Sequence, residues 1–265
     1  MEKLDKDGNI LVKSLCEPLV VPGLYLDPAY PTFFAIIPDI SKVSVQTICC
    51  YNISMTDVSK KFHEHGLALQ ACMQFDGVFD PRYGYAVIDD HRLQGLIGYD
   101  QGNSYQRKGM NVQFIEGSWM YRDGKPVKDR DMLMGVRLNG KKIDGSEVVL
   151  DRDNLEIVVR GVRYDYYNRD ETGLELVHEY AFDLTCYLVL GFDIKGQMFI
   201  LYRRYIDYFD VCAILKHIEC KNAIIICNGK STRLIWKKHG EFDRYNNIQF
   251  IKNPDKAVTN IVMFS

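Results

Sequence analysis

The chain has 265 residues, of which 47% are apolar and 26% charged, and a formal net charge of −2. A globular chain of this size can bury a core without metals or disulfides. Its lysines and arginines are scattered rather than striped, and no apolar run is long enough to cross a bilayer, so neither nucleic acid nor membrane is an expected partner.

In chain order, Met1–Asn9 is charged and polar with no apolar stretch behind it, so no signal peptide is expected. Prolines at 18, 22, 28 and 31 mark residues 1–32 as a Pro-rich N-terminal arm. Thr32–Ile40 and Val43–Tyr51 are rich in β-branched and aromatic residues and predict strands. Ser54 and Asp57 have helix-start spacing, and a helix flanked by Val58, Phe62 and Leu69 should stop near Gly66. Ala68–Phe75 and Tyr85–Asp89 predict buried strands around a loop, Asp76–Pro81. Residues 98–111, rich in Gly, Asn, Gln and charge, predict a loop.

Val112–Tyr121, Met132–Leu138 and Asn154–Val162 predict strands, and Asp123-Gly124, Asn139-Gly140 and Asp144-Gly145 predict hairpin turns because glycine tolerates positive φ. Tyr164–Gly173 predicts a polar aromatic loop, with Tyr164, Tyr166 and Tyr167 available to a protein partner. Phe182–Phe192 and Gln197–Arg203 predict a long hairpin turned at Asp193–Gly196. Ile206–Ile218 predicts an amphipathic helix, with Val211, Ile214, Leu215 and Ile218 on one face. Ala223–Cys227, Ser231–Trp236 and Ala257–Phe264 predict strands. Many strands and two or three helices, not interleaved one for one, predict an α+β fold with a mostly antiparallel sheet. No linker or repeat divides residues 33–265, so a single domain is expected behind the arm.

Eight cysteines, at 16, 49, 50, 72, 186, 212, 220 and 227, form no C-x-x-C pair. They predict buried thiols in a reducing compartment rather than a zinc site. His63 and His65, two apart on a predicted helix, do not share a face and so do not make a metal site.

Two segments carry candidate chemistry. Asp76 and Asp80 bracket a loop and form a carboxylate pair suited to acid–base work; a plain turn explains them equally. Asn228-Gly229 ends an apolar strand and leads into Ser231, Thr232 and Arg233. Such a strand end presents polar backbone and small hydroxyls to a sugar or phosphate, and a type I′ hairpin at a solvated strand edge is the plain alternative.

Three segments, in order, resemble the phosphodiester glycosidase family. Its members carry a short buried strand, an Asn-Gly-Gly-aromatic-Phe-Asp loop, a long hairpin and a closing Asp-Gly-Gly-Gly-Ser-Ser/Thr motif. The matching runs here are Ala71–Asp80, Leu188–Leu201 and Asn222–Thr232, and the likeness spans about Phe33–Phe264. It implies a phosphodiester-glycosidase-like fold, catalytic Asp76 and Asp80 if the chain is active, and ligand binding by Gly77, Asn228, Gly229, Ser231, Thr232 and Arg233.

The motif residues are altered. Cys227 and Asn228 stand where the family has an acid, Lys230 and Val78 replace glycines, and the arginine before the long hairpin is missing, its neighbourhood held by Thr185 and Cys186. Losing a carboxylate removes a general acid, a base or a metal ligand. The expectation is therefore a catalytically degenerate domain serving as a structural or binding component, inside a phage particle or another assembly of protein partners. It would reside in the cytoplasm or in a virion assembled there, and would bind carbohydrate or sugar phosphate. No cofactor is expected, although an active enzyme would use a divalent metal such as calcium. The alternatives are an active hydrolase of glycosyl phosphodiesters and a cytosolic sugar- or nucleotide-binding protein.

Overall fold

The computed structural model describes residues 11–15, 32–53, 67–71, 78–80, 83–106, 112–127, 136–151, 154–166, 172–175, 185–229, 232–238, 241–246 and 258–264. The first strands are β1 (Leu11–Leu15), β2 (Thr32–Ile37), β3 (Val45–Ile53), β4 (Leu67–Ala71), β5 (Tyr83–Asp89) and β6 (Arg92–Ile97). Helix α1 (Tyr99–Gln106) precedes β7 (Val112–Arg122) and β8 (Lys125–Pro126). Short strands follow: β9 (Arg137–Leu138), β10 (Lys141–Lys142), β11 (Val148–Asp151), β12 (Glu156–Val159), β13 (Val162–Asp165) and β14 (Leu174–Glu175). The last group is β15 (Thr185–Asp193), β16 (Met198–Ile206), helix α2 (Tyr208–His217), β17 (Cys220–Asn228), β18 (Arg233–Lys238), β19 (Glu241–Asn246) and β20 (Val258–Phe264).

The large sheet runs β1-β2-β16-β15-β17-β7-β5-β6, with β8 on β7; a five-stranded sheet runs β19-β18-β4-β20-β3. Two three-stranded sheets, β10-β9-β14 and β11-β12-β13, lie between β8 and β15 in sequence. Every described strand pair is antiparallel. The fold is thus mostly antiparallel sheet with two helices among the described residues. Leu11–Leu15, inside the predicted arm, forms the edge strand against β2.

Alternation along the strands sorts side chains onto two faces. Leu188, Leu190, Ile200, Tyr202, Ile224 and Ile226 of the large sheet pack against Leu69, Leu234, Val262 and Phe264 of the five-stranded sheet, forming the inner core. Tyr187, Val189, Phe199, Leu201 and Ala223 face outward and are covered by Val211, Ile214 and Leu215 of α2. Burial on both faces explains why β15 and β17 read as continuous apolar runs. Asp207 caps α2 by accepting from the Asp210 N–H at 2.8 Å, and Lys216 and His217 occupy the last turn, where cations suit the helix dipole. The short strands build a third core around Ile157, Val159 and Tyr166, with Phe209 of α2 packed against it.

Several expectations are corrected. Residues 99–106 form α1 rather than loop; with little apolar periodicity of its own, the helix is held by Tyr105 and by Gly102 seated over the Phe79 ring. Tyr166 is buried in the third core and is not offered to a partner. Asp144-Gly145 makes no hairpin: Asp144 caps a short 3-10 turn, accepting from the Ser146 N–H at 2.9 Å. Of the predicted strand Met132–Leu138, Arg137 and Leu138 are strand, and residues 132–135 lie outside the described residues, as does the predicted helix at 54–66. Cys186, Cys212 and Cys220 are buried thiols, and burial raises the Cys220 pKa, but Cys227 is disulfide-bonded rather than free. Asp123-Gly124 and Asn139-Gly140 do turn hairpins, with φ of 51° and 76° and of 52° and 73°.

Candidate functional site

The Asn228-Gly229 turn is not a hairpin. β17 lies in the large sheet and β18 in the five-stranded sheet, so the turn carries the chain from one layer to the other. Gly229 takes φ +81°, a left-handed conformation that favours glycine. Its N–H donates to the Cys186 carbonyl at 2.9 Å, and its carbonyl accepts from the Thr232 N–H at 3.3 Å. The crossover is therefore tied to the start of β15 on one side and to the start of β18 on the other. Asn228 is exposed. Thr232 is 0% exposed and its Oγ1 has no hydrogen-bond partner. A buried hydroxyl left so costs about 1–3 kcal/mol, and Thr232 does not lie on a solvated edge.

Register places a second segment here. Leu234 of β18 pairs with Leu69 of β4, so two residues along the antiparallel ladder Thr232 is level with Ala71. Ala71 also pairs with Asn260 of β20. The described part of β4 thus ends, at Ala71, beside Thr232. Asp76, Gly77 and Ser231 lie outside the described residues, and Arg233 is described by its backbone, which pairs with Asn246.

Asp80 belongs to a different group, on the outer face of the large sheet. Its N–H donates to the Tyr85 hydroxyl at 2.6 Å, and its carbonyl accepts from the Tyr83 N–H at 3.1 Å. Phe79 packs edge-on against Tyr85 and Phe114, at ring-centroid distances of 4.8 and 5.1 Å. Tyr85 pairs with Glu116 on β7, and that carboxylate is only 8% exposed. Sequence reasoning passed over Glu116, whose signal is an acid inside the apolar run Phe114–Met120. Described bonds therefore tie Gly229 to Cys186 and to Thr232, and tie Asp80 to Tyr83 and Tyr85.

At the same end of the large sheet β16 carries a bulge. Tyr187 pairs with Arg203 and Thr185 with Ile206, which leaves one extra residue on β16, and Tyr205 there takes φ +54°. Arg203 and Arg204 beside it are both buried, an unusual environment for guanidinium groups. Among the described residues no group of three or more His, Cys, Asp and Glu side chains is placed to hold a metal ion.

No protein-family model matches the chain, and no curated protein matches it in sequence. Its structure is similar to the catalytic domain of zebrafish N-acetylglucosamine-1-phosphodiester alpha-N-acetylglucosaminidase auto-inhibited by its pro-peptide, with TM-score 0.55 and 14% identity over 96% of this chain and 81% of that one. A putative exported protein from Burkholderia pseudomallei K96243 has TM-score 0.47 and 6% identity, over 89% of this chain and 74% of that one. A hypothetical protein from Synechocystis has TM-score 0.45 and 8% identity, over 89% and 59%. The zebrafish likeness shows a phosphodiester-glycosidase-like fold; fold alone does not assign an activity.

Proposed function

We propose that the chain is a phosphodiester-glycosidase-like domain that binds a carbohydrate or sugar phosphate without hydrolysing it, as a component of a larger assembly such as a phage particle. The observation carrying this reading is the crossover. A buried Thr232 hydroxyl without a partner lies next to a turn whose side chain is the Asn228 amide rather than a carboxylate. An amide donates and accepts hydrogen bonds, as sugar recognition needs, but it does not transfer protons as a general acid or base.

The test measures hydrolysis of a chromogenic phosphodiester and of sugar phosphodiesters, with and without calcium or magnesium, alongside melting-temperature shifts with a panel of sugars and sugar phosphates. The expected outcome is no turnover and a ligand-dependent shift. Turnover that disappears in Asp76→Ala or Asp80→Ala would overturn it.

An active hydrolase is the second reading. It is favoured by the Tyr85 hydroxyl, which anchors the Asp80 backbone on the same face as buried Glu116. Two carboxylates in unlike environments can divide acid and base roles. Loss of measured turnover in Glu116→Gln as well as Asp80→Asn would support this reading.

A further inference from the structure

We propose that the junction of β6 with α1 holds a binding site for a neutral sugar, in which Asp100 and Arg122 grip one hydroxyl across Gly98 and Tyr99 offers its ring. The site lies apart from the crossover: Tyr121, next to Arg122, pairs with Ala223, about 16 Å along β17 from Asn228. The inference thus goes beyond the binding reading above and does not depend on it.

Two glycines on neighbouring strands shape the site. Tyr85 pairs with Ile97, so Gly84 and Gly98 are level. A Cβ on Gly84 would lie 2.6 Å from Cε2 of Trp119, so the indole rests directly on the β5 backbone. Cε2 carries the indole Nε1–H, a buried donor without a hydrogen-bond partner. The Arg122 guanidinium lies over the same ring, 5.4 Å from its centroid. A Cβ on Gly98 would lie 2.6 Å from Oδ1 of Asp100 and 3.3 Å from Nη2 of Arg122. Acid and guanidinium therefore stand on either side of a gap that glycine leaves open.

Each charged group is fixed by something other than its opposite. The indole face and Asp123, at 4.0 Å, hold Arg122. Asp100 sits in the first turn of α1, where the helix dipole favours a carboxylate. Among the described residues, Asp100 and Arg122 form no direct ion pair with each other. Hydrogen bonds of about 2.8 Å on each side let one oxygen span such a gap. A hydroxyl suits it, because it donates to the carboxylate and accepts from the guanidinium at once.

The opposed charges also select the ligand. An anion is repelled by Asp100 and a cation by Arg122, whereas a neutral polyol is repelled by neither. The Arg122 side chain is 50% exposed, so a ligand reaches it from solvent. Tyr99, between Gly98 and Asp100 in the chain, is 47% exposed, an apolar ring left in water beside these polar groups. A pyranose carries hydroxyls on its rim and apolar C–H groups on its faces, the combination that a carboxylate, a guanidinium and an exposed tyrosine match.

The experiment titrates the full-length protein with glucose, galactose, mannose and N-acetylglucosamine in turn, and with free glycine and inorganic phosphate as charged comparisons. NMR follows the amide shifts of Gly98, Asp100 and Arg122 and the Trp119 indole N–H resonance. At least one sugar should shift these signals saturably, and free glycine and phosphate should not. Gly98→Ala, at a position with no left-handed φ, puts a methyl group in the gap and should abolish the response. Arg122→Met should weaken binding at least about tenfold, since a hydrogen bond to a charged group contributes that much. Asp100→Asn and Tyr99→Ala should weaken it severalfold, and Thr232→Val, at the crossover, should leave it unchanged. If Gly98→Ala lacks native circular dichroism, the Asp100 and Tyr99 variants carry the test, because both side chains are exposed. No shift at Gly98 with any of the sugars would overturn the inference, and shifts confined instead to Gly229 and Thr232 would do so while leaving the binding reading intact. Sugar binding equal in wild type, Arg122→Met and Tyr99→Ala would equally overturn it, as would a response to free glycine or phosphate but to none of the sugars.

Discussion

Gly117 shows how one residue sets the geometry of the large sheet. A Cβ there would lie 2.5 Å from the Ile225 carbonyl oxygen, so the backbones of β7 and β17 approach closely only because no side chain intervenes. Their described pairing runs from Ala223 to Ile225, after which β17 continues toward the Asn228 crossover without β7. Gly117→Ala should therefore lower stability by about 1–3 kcal/mol, the cost of overpacking against a fixed backbone, and should shift the crossover. Chemical denaturation measures the first effect, and amide chemical shifts at Gly229 and Thr232 the second. Unchanged stability and shifts would show that β7 and β17 separate without strain.

Among the elements, the hairpin β5–β6 is turned by Asp90 and His91, with φ of 47° and 60°. These are the left-handed angles of a type I′ turn, at which asparagine and glycine are favoured. His91 side-chain chemistry has no described use there, while its carbonyl accepts the Val45 N–H at 2.6 Å and links the two large sheets. His91→Gly keeps that carbonyl and should stabilise the protein by up to about 1 kcal/mol, the scale of left-handed strain in a residue with a Cβ; a thermal melt reads it, and a lower melting temperature would contradict it. In sequence this turn is marked only by its charged residues, since it has no Asn-Gly or Asp-Gly pair, whereas Asp123-Gly124 and Asn139-Gly140 are marked by glycine. Helix α1 was missed because its residues are poor helix formers, and packing of Gly102 on Phe79 outweighs their propensity.

At the scale of the molecule, the core built by the short strands β11–β13 is bordered by surface ion pairs. Arg160 pairs with Glu147, and Arg163 bridges Asp151 and Glu156 across β11–β13. A hydrogen bond from Arg160 holds the Glu147 carboxyl below its ordinary value of 4.5, and one from Asn154 holds Asp151 below 3.8. A lowered carboxylate stabilises the fold fully above its ordinary pKa, and that contribution is lost as pH falls through the lower, folded value. The ordering of β11–β13 should therefore stay level from neutral pH down to the ordinary carboxylate values and weaken below them. Methyl spectra of Val149, Val158 and Val162 across that range check it, with Glu147→Gln/Asp151→Asn as the variant that flattens the dependence. A profile identical in the variant would remove these carboxylates as the cause. The three pairs are solvent-exposed, so the effect belongs to local order more than to global stability.

What the sequence by itself determined is local and periodic. The continuous apolar runs of β15 and β17, the amphipathic pattern of α2 behind its Asp207 cap and the glycine-marked turns are fixed by backbone chemistry within a few residues. It also singled out Gly229 and Thr232, because a strand running into small polar residues is a local pattern. The tertiary structure alone decided that Asn228-Gly229 crosses between sheets, that Thr232 is buried, and that Asp80 is anchored on another face of the sheet. It alone brought Arg204 and Glu116 into view. Pairing of strands far apart in sequence, as in β15 with β17 and in β4 with β18, depends on which faces the cores bury, and that choice is made between segments rather than within them.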